Sequence, residues 1–97
     1  MSNQEINLKL IMPVLKTNNV EFAGVFGSVA RGEANEKSDV DILVKFKESP
    51  SLLGLIRLEN VLSEKIGRDV DLVTENSLHP LMRDEVFRDL KLIYGKR

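Results

Sequence analysis

Residues 27–41 read G-S-V-A-R-G-E-A-N-E-K-S-D-V-D. An apolar run, residues 20–26 (V-E-F-A-G-V-F), leads into the pair Gly27-Ser28. Ten residues after that pair, Asp39 and Asp41 open a second apolar run. Alternate residues of a strand share a face, about 6.6 Å apart at roughly 3.3 Å rise per residue. Two carboxylates so spaced can lean onto divalent cations roughly 3.5 to 4 Å from each other, the arrangement that clamps an in-line phosphoryl displacement. The stretch is a candidate site for nucleotide phosphates and metal, and the rest of the chain reads as its scaffold.

Residues 20–26 are rich in strand formers and predict a first strand that ends at Gly27. A glycine there lets the backbone turn tightly and come close to a ligand, while Ser28 offers a hydroxyl and an N–H at the start of a short helix over residues 28–32. Taken alone, the pair reads as a strand-to-helix turn with Ser28 as the N-cap, and only the later aspartates change that reading. Arg31 is in reach of phosphate oxygens; it reads equally well as a solvated charge or a partner of Glu33 or Glu36. Residues 33–38 are a polar loop. Residues 39–46 predict the second strand, with Val40, Ile42, Val44 and Phe46 on one face and Asp39, Asp41, Leu43 and Lys45 on the other. Asp39 as a turn cap and Asp41 facing solvent is the competing reading, against which stands the cost of two like charges on one strand face without a counter-ion.

Outward from this centre, Leu8, Ile11 and Leu15 give residues 3–16 a helical period, with Pro13 predicting a kink or a start of regular helix. Asn18 and Asn19 suit the left-handed conformation just past a helix end. Residues 52–66 form the clearest helix, with Leu52, Leu55, Ile56, Leu58, Leu62 and Ile66 as the stripe that packs on the sheet, Ser51 as N-cap and Gly67 as left-handed stop. Residues 68–74 predict a third strand and repeat Asp-Val-Asp. Asp71, deeper in the strand than Asp69, is favoured as a third carboxylate that binds metal and helps deprotonate an attacking hydroxyl. A salt bridge from Asp71 to Arg68 or Arg83 is an equal alternative. Residues 81–90 predict a last helix with Met82, Val86 and Leu90 inward, and residues 91–94 either extend it or form an edge strand. His79, in the connector before it, reads as structural or solvated and not as a ligand.

Ninety-seven residues fit one small domain, 1–97. A hydrophobic content of 42% with 30% charge excludes disorder on composition, and the absence of cysteine excludes disulfides and thiolate metal sites. No apolar run approaches the roughly 18 residues of a membrane span, and the N-terminus lacks a signal-peptide pattern, so a cytoplasmic location is expected. A net charge of −1 and no basic stripe argue against a nucleic-acid partner.

The string G-S-V-A-R-G-E with S-D-V-D-I-L-V, followed by V-D-L-V-T at residues 70–74, resembles the polymerase-beta-type nucleotidyltransferase superfamily and, within it, the minimal nucleotidyltransferase (MNT) proteins. The resemblance spans nearly the whole chain. It implies a small α/β fold, a mixed sheet (here three core strands) flanked by helices, and the transfer of a nucleoside monophosphate from ATP or another nucleoside triphosphate to a hydroxyl with two Mg2+ ions. Carried over by position, Gly27 and Ser28, with Arg31 nearby, hold the triphosphate; Asp39 and Asp41 hold the metals; and Asp71 serves the catalytic metal and the acceptor. It further implies a HEPN-domain toxin as partner, neutralised by adenylylation of a tyrosine. The alternative is a non-catalytic antitoxin that neutralises its partner by covering it.

Overall fold

The computed structural model describes residues 8–33 and 39–96. The part of the predicted first helix before Leu8, and most of the loop predicted over residues 33–38, lie outside them. Pro13 decides how the chain begins: a single 3-10 turn, Leu8–Ile11, runs into helix α1, Met12–Thr17, with the proline in its first turn, where no backbone donor is needed. Asn19 takes the left-handed conformation, φ 59°, as its side chain allows.

Strand β1, Val20–Phe26, then crosses the molecule, and a short helix α2, Gly27–Ala30, follows without an intervening residue. Strand β2 is Val40–Phe46, helix α3 Leu52–Ile66, strand β3 Val70–Thr74, helix α4 Pro80–Asp89 and strand β4 Lys91–Gly95. The sheet has the order β3-β2-β1-β4. β1 runs antiparallel to β2 and β4, whereas β2 and β3, joined through α3, are parallel. The sheet is thus mixed, with a fourth strand where the sequence left helix and strand open. Lys91 and Leu92 pair with Val25 and Gly24, and these long-range bonds decide the matter.

Both faces of the sheet are covered. Ile42 and Val44 of β2 join Ile11, Leu15, Leu58 and Leu62 in the main core. Leu43, on the opposite face, is fully buried with Phe22 and Val86, so the face predicted to carry polar residues becomes apolar past Asp41. Helix α3 keeps its predicted bounds and both caps: Ser51 Oγ accepts from Gly54 N–H at 3.1 Å, and Gly67 is left-handed, φ 78°. Its stripe is narrower than predicted. Leu58 and Leu62 are buried, and Leu55 and Ile66 are partly so, but Leu52 is 73% and Ile56 46% exposed. Met82 of α4, on the predicted stripe, is 53% exposed, and Val86 is the buried residue of that helix.

The edge strand β3 is held by α3 side chains. Glu59 Oε2 accepts from Leu72 N–H at 2.8 Å, and Ser63 Oγ accepts from Val70 N–H at 2.9 Å. These bonds satisfy strand donors that have no strand neighbour and block the edge from further pairing. Among the described residues no helix is long and apolar enough to cross a membrane.

Candidate active site

Register brings the predicted residues together. Phe26, the last residue of β1, lies opposite Asp41 of β2, and Asp41 lies opposite Asp71 of β3. Neighbouring strands stand about 4.8 Å apart, so the two aspartates share one rim of the sheet with the Gly27 turn beside them. Gly27 has φ +72°, and a Cβ there would collide with Asp41 Oδ2. Its lack of a side chain therefore serves twice: the turn needs the left-handed conformation, and the carboxylate occupies the space a side chain would fill. Ser28 follows, half-buried, at the start of α2.

Asp39 stands just ahead of β2, which begins at Val40, and it is exposed. Asp69, likewise outside its strand, gives its carbonyl to Val40 N–H at 2.9 Å and so pins the two Asp-Val-Asp triplets in register. That register favours Asp71 over Asp69 as the companion of Asp41. Of the two arginine alternatives, Arg83 is engaged elsewhere: it pairs with Glu75 at 3.3 Å and lies over the Phe87 ring.

Electrostatics single out Asp41. Burial raises its pKa above the usual carboxylate range, and the negative charges of Asp71 and Asp39 raise it further, while Arg31 opposes them. A half-buried carboxylate among like charges is favourable ground for a cation. The donors are carboxylate oxygens, hard ligands that suit Mg2+. Among the described residues no group of three or more acidic or histidine side chains is placed to hold a metal ion, so Asp39, Asp41 and Asp71 do not gather into one ligand set here.

Arg31 ends the short helix, and its Nε donates to Glu33 Oε1 and its Nη1 to Asp89 Oδ2, both at 2.8 Å. The pairing with Glu33 that the sequence allowed is present; the one with Asp89 was not legible. The only sequence signal for it is an acidic residue in the last turn of a helix, where the dipole disfavours negative charge. His79 is the N-cap of α4, its Nδ1 accepting from Leu81 N–H at 3.1 Å, a structural role as expected. A cavity of about 330 Å³, lined by Phe46, Leu52, Leu55, Thr74 and Asn76 among others, lies at the opposite end of the β2–β3 pair. It is remote from the carboxylates, so the chemistry and the more enclosed space do not coincide.

Comparison with known proteins agrees with this geometry. The family described as polymerase beta nucleotidyltransferase matches residues 9–97. The chain is 47% identical over 89 residues, 92% of its length and 95% of the other, to MJ0435 of Methanocaldococcus jannaschii, named as a candidate protein adenylyltransferase. It is 54% identical over 67 residues, 69% of its length and 68% of the other, to protein adenylyltransferase MntA of Thermococcus cleftensis. A solved structure described as a toxin-antitoxin with AMP-PNP superposes with a TM-score of 0.82 at 26% identity, covering 94% of this chain and 75% of that one. A glycine turn packed on a strand aspartate, the parallel register that adds a second aspartate, and a match over nearly the whole length together place this chain in the polymerase beta nucleotidyltransferase family.

Proposed function

We propose that the chain transfers AMP from ATP to a hydroxyl of a HEPN-domain toxin, a tyrosine, and so acts as its antitoxin. The observation that carries the reading is the Asp41–Asp71 pair set against the Gly27 turn. The choice of adenylate and of a protein acceptor is supported by relatives named as protein adenylyltransferases and by the similarity to a toxin-antitoxin structure with AMP-PNP. HEPN-domain partners and tyrosine acceptors are what the resemblance to the minimal nucleotidyltransferases implies.

Asp39, Asp41 and Asp71 would hold Mg2+, which supplies charge neutralisation on the triphosphate when bound. Ser28 and the Gly27 backbone receive phosphate oxygens, and Arg31 adds a guanidinium suited to them. The acceptor oxygen bonds to the α-phosphorus, the bond from that phosphorus to the β-bridging oxygen breaks, and pyrophosphate leaves with the electron pair. Asp71, the more exposed aspartate of the pair, takes the proton of the acceptor hydroxyl. Positioning and charge stabilisation are the protein's main contribution.

The test is the intact mass of the HEPN-domain protein after incubation with this chain, Mg2+ and ATP. A gain of one or more adenylate units, absent with Asp41→Ala, is expected. No gain with any of the four nucleoside triphosphates, despite a stable complex, would instead indicate neutralisation by contact.

A further inference from the structure

The far end of the chain returns to the Gly27 turn and delivers a carboxylate that belongs to neither Asp-Val-Asp triplet. Asp89 is the last residue of α4, and β4 begins two residues later, paired to Val25 and Gly24 of β1. Gly24 makes this approach possible. A Cβ on Gly24 would come within 2.7 Å of Leu90 Cδ1, so the bare backbone seats Leu90, and with it the α4–β4 junction, against the strand that ends at Phe26.

From this fixed point Asp89 reaches Arg31, with Oδ2 accepting from Nη1 at 2.8 Å and its side chain only 18% exposed. Position makes the contact informative. A carboxylate in the final turn of a helix faces the partial negative charge of the helix end, and partial burial adds a desolvation cost. Among the described contacts, the guanidinium is what compensates both. A guanidinium is planar, so holding Nε through Glu33 and Nη1 through Asp89 fixes the plane of the fork and the direction of its Nη2 edge.

We propose that Asp89 is a positioning residue for the nucleotide: by holding Arg31 at Nη1 it aims the guanidinium at non-bridging oxygens of the triphosphate received at the Gly27-Ser28 turn. This rests on the reading of Arg31 as a nucleotide-binding residue. Asp89 does not itself touch the phosphates, and its carboxylate would repel them. Its contribution is the pre-set orientation of a long side chain that would otherwise sample many rotamers.

Calorimetric titration of the full chain with ATP and Mg2+ tests this, using wild type, Arg31→Ala, Asp89→Asn, Asp89→Glu and the Arg31→Ala/Asp89→Asn double variant. Arg31→Ala and Asp89→Asn are each expected to weaken ATP binding by about tenfold. Asp89→Glu should recover most of the loss, and the double variant should bind no more weakly than Arg31→Ala alone. If Asp89→Asn binds ATP as tightly as wild type, or more tightly, while Arg31→Ala is weakened, Asp89 is only a brace or a counter-charge and the proposal fails. Additive losses in the double variant also overturn it. If Arg31→Ala binds ATP like wild type, the nucleotide role of Arg31 falls first and takes this proposal with it. An Asp89→Asn variant that does not fold leaves the decision to Asp89→Glu, which keeps the charge and must retain near-wild-type affinity.

Discussion

The triplets Asp39-Val40-Asp41 and Asp69-Val70-Asp71 lie side by side, Val40 opposite Val70 and Asp41 opposite Asp71, yet the same three residues meet different surroundings. Both valines enter the core. The aspartates that follow them diverge. β2 is flanked by β1 and β3, so Asp41 is half-buried, touches the Gly27 turn and holds its proton more tightly than an ordinary carboxylate. β3 is the edge strand, and Asp71 stays exposed. A tripeptide thus sets which side chains point out of the sheet, while the neighbouring strands set how each carboxylate behaves. In this nucleotidyltransferase the central triplet is built as the desolvated member of the pair and the edge triplet as the accessible one.

The strongest way to break the comparison is to remove the central carboxylate. Asp41→Ala should lower adenylate transfer by a factor on the order of 10^3, read by mass spectrometry of the acceptor, with the circular dichroism spectrum retained. Asp71→Asn should cost a factor on the order of 10^2, as loss of a general base does, while Asp69→Asn stays within about twofold of wild type. Equal losses from Asp69→Asn and Asp71→Asn would mean the register does not select between them. Gly27→Ala tests the contact that only the central triplet makes. Strain at φ +72° and collision with Asp41 should destabilise the fold by about 1–3 kcal/mol in urea titration. The edge triplet has its own support, and Ser63→Ala, which leaves Val70 N–H without its acceptor, should cost about 1–2 kcal/mol.

The smallest effect concerns pH. Because the folded state raises the pKa of Asp41, its contribution to stability is present below the ordinary carboxylate pKa and is lost as pH rises through the raised value. Metal-free Asp41→Asn should therefore melt a few degrees above wild type at neutral pH. The gap should close as pH falls below the ordinary carboxylate pKa of about 3.9. A variant that melts below wild type at pH 7 would show that the cost of burying the Asp41 carboxylate among like charges is not stored there.

Where local signals were strong, sequence and structure agree closely. The bounds of β1 and α3, the Ser51 cap and the left-handed Asn19 and Gly67 all rest on contacts within a few residues. Gly27 and the aspartates were legible because a turn and an alternating strand leave fixed spacings. Leu52 and Ile56 misled because periodicity reports which face of a helix a residue occupies, not how much of that face the rest of the fold covers. Leu43 misled in the other direction, since α4, far along the chain, covers a face that looked polar from its first residues.

The sequence by itself determined strand β1 and its sharp passage at Gly27 into a short helix, the alternation that puts Val40 inward and Asp41 outward, and the family to which the chain belongs, because these depend on near neighbours and fixed spacing. Only the tertiary structure decided that Asp71 stands beside Asp41, that residues 91–95 close the sheet as a strand, and that Asp89 reaches Arg31. Each of these is a contact between residues at least 30 positions apart, set by the pairing of strands and the packing of helices upon them.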